Sequence, residues 1–178
     1  MGYSILSLGV LIWLIGAASR ALYVPLWDWA LWQNLIGLAV MAFAIALLAL
    51  SIGRPNPFSL GGARNDMFNP EIAGIVAVFR HPLLVSLALW ALVHMIANGD
   101  LAHVILFGTF GGFALLGQKI IDRCKRRQMG AQWADLEARM QVGTLKPKGT
   151  VLRQIIGVLT YAGLIWLHPM LFGVSPLP

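Results

Sequence analysis

The chain has 178 residues, of which 58% are hydrophobic and only 11% carry charge, and its formal net charge is +6. Soluble domains carry about 25% charged residues, so this composition excludes an ordinary water-soluble protein. The single cysteine, Cys124, also excludes an intrachain disulfide.

The charged residues are clustered, and they leave five long segments of the chain without Asp, Glu, Lys or Arg. Met1–Ser19, Trp29–Gly53, Leu101–Gln118 and Gln154–Pro178 contain no Asp, Glu, Lys or Arg, and only histidine interrupts 81–99. A helix needs about 20 apolar residues to cross a membrane. We therefore predict an all-α, polytopic transmembrane bundle that forms one domain over residues 1–178. Its five spans are expected at about 4–22, 31–52, 82–98, 101–119 and 152–171.

The first of these segments is predicted to stay in the membrane as a span. It has no basic start and no small-x-small cleavage site, both of which a signal peptide would need. It is therefore not expected to be removed.

The third span opens on Arg80-His81-Pro82. Proline suits the first turn of a helix, because its missing N–H would have no partner there. We read Arg80 and His81 as a motif at the cytoplasmic membrane face. The alternative is that the pair only anchors the helix at the interface.

Three of the four histidines are predicted to lie in one outer layer. Asn98-Gly99-Asp100 is typical of a tight turn, with Asp100 capping the next helix. His94 precedes the turn and His103 follows it, so both should lie about 6 Å below it. His168 is near the outer end of the fifth span. Imidazole binds iron, copper or zinc, so we expect His94, His103 and His168 to bind a cofactor, with His94 the first candidate metal ligand. The alternative is three separate interfacial histidines.

Two further segments suggest packing surfaces. Gly108 and Gly112 are spaced as in close helix pairs, within the chain or with a partner, although such pairs are also common without that role. Residues 131–140 are predicted to form an amphipathic interfacial helix.

The basic residues predict the orientation. Nine of the thirteen fall in a predicted cytoplasmic loop, 119–153, and three more lie between the second and third spans. Basic residues favour the cytoplasmic side, which places the N-terminus in the cytoplasm and the C-terminus in the periplasm of a bacterial inner membrane. The positive charge is explained by topology and contact with the lipid bilayer, so no nucleic-acid partner is expected.

Several segments resemble the NnrU family, bacterial membrane proteins associated with respiration on nitrogen oxides. The resemblance rests on FRHPLLVSLALWALVHMIANGDLAHVILFGTFGGFALLG, LYVPLWDWALWQN and IWLHPMLFGVSPLP, and it extends over nearly the whole chain. The plant relative zeta-carotene isomerase shares the domain and binds haem b, which implies a haem ligand at His94. Compared with the family, the chain is expected to begin at the second span. The relative's other ligand would then be replaced by His103, by His168 or by a partner chain.

A more distant resemblance is to the isoprenylcysteine and phospholipid methyltransferases. In those enzymes Arg-His-Pro helps to bind S-adenosylmethionine, which implies such a role for Arg80 and His81. The family continues with Tyr and Gly, whereas this chain has Leu84 and Ser86. Only Asp122 lies near the position of the family's acidic element.

Three hypotheses for the function follow. The first is a haem- or metal-dependent membrane protein, in redox chemistry linked to nitrogen oxides or acting on a lipid-soluble substrate. The second is a non-catalytic subunit or assembly factor, bound to other membrane subunits or to its own copies. Methyl transfer is the third. The sequence does not decide whether the protein is an enzyme.

Overall fold

The computed structural model describes residues 2–59, 64–141 and 150–178. The chain in these ranges forms α-helices and two short 3₁₀ turns, Asn65–Met67 and Pro70–Ile72, without any β-strand. This confirms the all-helical prediction. The α-helices are α1 Gly2–Ser19, α2 Leu31–Ser51, α3 Ile75–Val78, α4 Pro82–Asn98, α5 Leu101–Met129, α6 Ala131–Gln141 and α7 Thr150–Phe172.

The predicted spans agree with the long helices to within about three residues at most ends. Helices α2, α5 and α7 are long and apolar enough to cross a membrane. The other two predicted spans are shorter apolar helices, in α1 and α4. At 1.5 Å per residue, the 17 residues of α4 extend about 26 Å, slightly less than a hydrocarbon core of about 30 Å.

The helices pack in a row, in the order α1, α5, α4, α2, α7. Central α4 contacts both α2 and α5, and the Ser86 hydroxyl on α4 donates to the Ala44 carbonyl on α2 at 3.0 Å. Tyr161 on α7 donates to the Leu38 carbonyl on α2 at 2.7 Å. The two outer helices are largely exposed. Because the helices alternate in direction, α2 and α5 end where α4 and α7 begin, and we call this the basic end.

A tight turn at the opposite end holds α4 against α5. Gly99 has φ of 65°, a left-handed conformation that favours glycine, and Asp100 caps α5 as predicted. The turn also binds the connection between α1 and α2. The Leu26 N–H donates to the Gly99 carbonyl at 2.8 Å, and the Leu101 N–H donates to the Val24 carbonyl at 3.0 Å. The turn therefore fixes the relative position of four helices.

The segment 119–153, expected to be a loop, is largely helical. Helix α5 continues to Met129, where Gly130 ends it with φ of 55°. The predicted amphipathic helix is present as α6, which packs against the turn at Pro70–Ile72. The remainder, 142–149, lies outside the described residues. The polar continuation of α5 was missed because hydropathy locates the end of a span rather than the end of a helix.

Two apolar clusters lie at the two ends. At the basic end, α6 contributes Trp133 and Met140 to a cluster with Phe58, Ala73 and Val76. Towards the opposite end, Ala91 on α4 packs against Leu106 and Phe107 on α5. Each cluster lies beside one of the two polar groups described next.

Candidate functional site

His94 lies on α4, where one of its ring nitrogens is hydrogen-bonded to the backbone and the other is not. Its Nδ1 is 2.8 Å from the Trp90 carbonyl oxygen, to which it donates in the neutral ring. That tautomer leaves the lone pair on Nε2, for which the described residues offer no hydrogen-bond partner. The ring is half-buried between Trp90 and Phe107, with centroid distances of 5.0 and 5.3 Å. A ring held in this way has one nitrogen free for a ligand role, and ligating histidines are often oriented by such a carbonyl.

His103 faces the same aromatic side chain from α5. Its ring stacks on Phe107 with centroids 6.0 Å apart, so Phe107 lies between the two histidines. Its Nδ1 is 2.6 Å from an Asp100 carboxylate oxygen, while the other Asp100 oxygen accepts the His103 N–H at 3.2 Å. Asp100, which is 4% exposed, therefore caps α5 and orients His103 at once.

His168 is at the far end of α7, and its Nδ1 is 2.8 Å from the Val174 carbonyl oxygen. Within the described ranges, no three His, Cys, Asp or Glu side chains come close enough to hold a metal ion. His94, His103 and His168 therefore do not form a three-ligand site for a bare metal ion, and the expected cofactor binding by these histidines stays a prediction. Helix α7 packs mainly on α2, a lateral order that the sequence does not contain.

A haem has different requirements from a bare metal ion. The porphyrin supplies four nitrogens itself, so the protein provides only one or two axial ligands. His94 would supply one of them, with its donor atom, its fixed tautomer and its aromatic neighbours. The residues present fit one ligand to a haem, and the structure does not assign a second.

The motif at Arg80 and His81 lies in a second polar group, at the basic end. The Arg80 guanidinium binds Asp122 of α5 at 2.9 Å and also Glu137 of α6. The ring of Trp133 lies 4.8 Å from the guanidinium carbon, and the indole N–H donates to Glu137 at 3.2 Å. Arg80 thus joins the start of α4 to two other helices.

His81 is 3% exposed and uses both ring nitrogens. Nε2 is 2.8 Å from Asp122, and Nδ1 is 3.2 Å from the Ser59 hydroxyl. The neighbouring Asn56 side chain donates to the Arg80 carbonyl at 2.9 Å. His81 is therefore satisfied by the protein itself, whereas the Arg80 Nε is buried without a hydrogen-bond partner among the described residues.

Sequence reasoning identified Arg80 and His81 but not the complete set of their partners. Asp122 was noted only for its position, and Ser59, Trp133 and Glu137 were not singled out. One signal was available, because Trp133 and Glu137 are four residues apart and share a face of the predicted helix. Their contact with Arg80 could not be derived in the same way. Glu137 is 57 residues from Arg80 in the sequence, and the contact depends on how α6 folds back.

Among the described residues, no other helix approaches the glycine pair that was predicted for helix packing. A Cβ placed on Gly108 or Gly112 would have no neighbouring atom within 4 Å. The close approaches within the described chain involve other glycines: a Cβ on Gly117 would meet Leu84 at 3.4 Å, and one on Gly157 would meet Ala49 at 3.1 Å. The partner role of Gly108 and Gly112 stays a prediction.

The apolar helices and their row packing define a helical membrane protein. The chain belongs to the NnrU protein family, whose family model matches residues 1–176. No curated protein and no solved structure matches the chain significantly. The family resemblance stated from the sequence motifs is confirmed.

Proposed function

We propose that this NnrU family protein binds haem b through His94, in the part of a bacterial inner membrane that faces the periplasm. The observation that carries the proposal is the His94 ring, whose Nδ1 is held by the Trp90 carbonyl and whose Nε2 is left for a ligand. Burial of an ionisable ring inside an apolar helix supports a functional role. The resemblance to the haem-binding zeta-carotene isomerase, which implies a ligand at His94, supports it as well.

Haem iron, when bound, supplies one-electron chemistry, which suits respiration linked to nitrogen oxides or a reaction of a lipid-soluble substrate. The chain's own residues orient the ligand. The Trp90 carbonyl fixes the tautomer and ring plane of His94, and Trp90 and Phe107 limit ring rotation. A second ligand would come from His103, from His168 or from a partner chain.

The test replaces the ligand and then restores it. Protein with His94→Gly should lose the Soret band of the wild type, and added imidazole should restore it by occupying the vacated position. Imidazole rescue separates a ligand from a packing residue, because free imidazole would not repair a general folding defect. A His94→Gly protein that keeps the full wild-type Soret band without imidazole would refute the assignment.

A second candidate is a non-catalytic subunit that associates with other membrane proteins or with its own copies. The observation that favours it is the open surface of α5 at Gly108 and Gly112, where a neighbouring helix backbone could approach. Methyl transfer has less support, because Arg80 and His81 are already paired with the protein's own carboxylates.

Steric bulk tests the subunit function. Gly112→Leu should break an assembly formed on this face, as measured by cross-linking in membranes. The control is Gly163→Leu on α7, where the same substitution also meets no atom within 4 Å. Equal cross-linking of both variants and of the wild type would mean that Gly112 faces lipid.

A further inference from the structure

Arginine side chains gather where α2 ends at the basic end. The Arg54 Nε donates to the Leu50 carbonyl at 2.8 Å. The Arg153 Nη1, from the start of α7, donates to the Ala49 carbonyl at 3.1 Å and also to the Ile52 carbonyl. Arg64 reaches the Gly53 carbonyl at 3.0 Å. The three guanidinium groups therefore bind carbonyls in the last turn of α2 and just after it.

The positive charge of these three arginines is not balanced by carboxylates in the described part of the chain. All seven carboxylate side chains of the sequence lie in the described ranges, and their ion pairs there involve Arg80, His81, His103 and Arg139. No ion pair in that part of the chain includes Arg54, Arg64 or Arg153. The carbonyl end of a helix contributes only about half a negative charge, which is small against three guanidinium groups.

One donor of the group is buried without a hydrogen bond. The Arg54 Nη2 has no hydrogen-bond partner and almost no exposed surface. Burial and then the positive charge of Arg153 lower the pKa of Arg54 from its ordinary value. An anion at this position would satisfy the free donor and offset the repulsion between the two arginines.

The surroundings indicate the kind of anion. Ile52, Val151 and Leu152 expose more than 60% of their surface beside the arginines. Apolar side chains next to cationic ones, at the end of two membrane-length helices, match the boundary between acyl chains and headgroups. Planar guanidinium groups bind phosphate oxygens in pairs.

We propose that Arg54 and Arg153 form a binding site for an anionic phosphate group, with a phospholipid headgroup as its source. The proposal does not depend on haem binding. The phosphate would lie on the free guanidinium N–H groups, and the acyl chains would lie along the exposed apolar side chains of α2 and α7.

The experiment measures binding by the full-length protein in neutral detergent, with native mass spectrometry and thermal unfolding as readouts. Three probes are compared: phosphatidylglycerol, phosphatidylcholine and inorganic phosphate. We expect phosphatidylglycerol to bind about tenfold more tightly than phosphatidylcholine, whose choline would be repelled by the arginines. Inorganic phosphate should compete only weakly, because it lacks acyl chains. Competition at equal affinity would keep the phosphate site but reject the lipid as its source.

Two substitutions test the residues. Arg54→Gln and Arg153→Gln should each weaken phosphatidylglycerol binding about tenfold, the loss expected for a charge-assisted hydrogen bond. Arg127→Gln, an exposed change on α5 with the same loss of charge, should have less than about a twofold effect. Arg54→Lys keeps the charge but removes the buried donor, so it should bind like Arg54→Gln if it folds.

The proposal is overturned if wild-type protein does not distinguish phosphatidylglycerol from phosphatidylcholine and also fails to bind inorganic phosphate. An equal loss in Arg127→Gln would also overturn it, because the preference would then reflect net charge alone. Both outcomes are measured on the wild-type protein and on Arg127→Gln. A folding defect caused by substituting Arg54 would therefore not affect them.

Discussion

At the scale of single residues, the turn at 99–100 depends on a backbone conformation and a close contact that favour glycine at position 99. The Gly99 conformation is left-handed, and a Cβ there would lie 2.6 Å from the Trp27 carbonyl oxygen. The Trp27 indole also donates to the Ile96 carbonyl at 2.8 Å. These contacts hold α4 at the depth that places His94 level with His103 across Phe107.

Gly99→Ala should lower the free energy of unfolding by about 3 kcal/mol, since it combines a left-handed residue with a backbone clash. Gly53→Ala is the matched control: its φ is 70°, in the turn closed by the Arg54 N–H and the Ser51 carbonyl, but its Cβ would meet no atom within 4 Å. We expect that change to cost only about 1–2 kcal/mol. Denaturant unfolding in detergent measures both, and equal losses would contradict the role of Trp27.

The residue chemistry near this turn could be predicted because it is local. His94, Asp100 and His103 lie within ten positions of one another, and helical rise alone sets their depth. Phe107 as the common neighbour of both rings could not be derived, since that requires the rotation of α4 against α5. The position of His168 required the order of the helices, which no local pattern contains.

At the scale of elements, one arginine ties α6 to both α4 and α5. Glu137 and Trp133 on α6 both contact Arg80 at the start of α4, and Asp122 ties the same arginine to α5. The exposed pair of Asp135 and Arg139 is 3.8 Å apart on the same helix, and such surface pairs contribute little.

Glu137→Gln should loosen α6 while keeping the shape of the side chain. The loss of a partly exposed charged hydrogen bond should cost about 1 kcal/mol, which corresponds to about fivefold faster hydrogen exchange in α6. Asp135→Asn, the control on the same helix, should leave exchange nearly unchanged. If the two variants exchange alike, Arg80 does not hold α6.

Periodicity correctly predicted α6 as an amphipathic helix, and proline correctly marked the start of α4 at residue 82. The predicted span 101–119 covers only part of α5, because the last turns of this helix are polar and leave the apolar window. Long-range ion pairs such as Arg80 with Glu137 depend on chain reversal between distant segments. A single sequence does not show how the chain reverses, so this ion pair could not be predicted.

At the scale of the whole molecule, the charges divide the bundle into two ends. Arg54, Arg80 and Arg153 lie at one end, together with the basic last turns of α5 and with Arg139 of α6. The histidines of α4, α5 and α7 lie towards the other. Such a division is what insertion with the basic residues in the cytoplasm produces.

A reporter fused after Pro178 should therefore be active only on the periplasmic side, and one fused after Met129 only in the cytoplasm. The physical reason is the energetic cost of moving the basic residues of α5 across the membrane. Activity of both fusions on one side would mean that α7 does not cross the membrane.

The central claim is that His94 binds haem, and the optical spectrum of the wild-type protein tests it most directly. The protein is made with excess haem, purified in mild detergent together with any associated subunits, and its Soret absorbance is compared with its polypeptide concentration. The account predicts a Soret band corresponding to about one haem per chain, because each chain has one His94. Wild-type protein without a Soret band under these conditions would contradict the account and leave His94 as a polar packing residue.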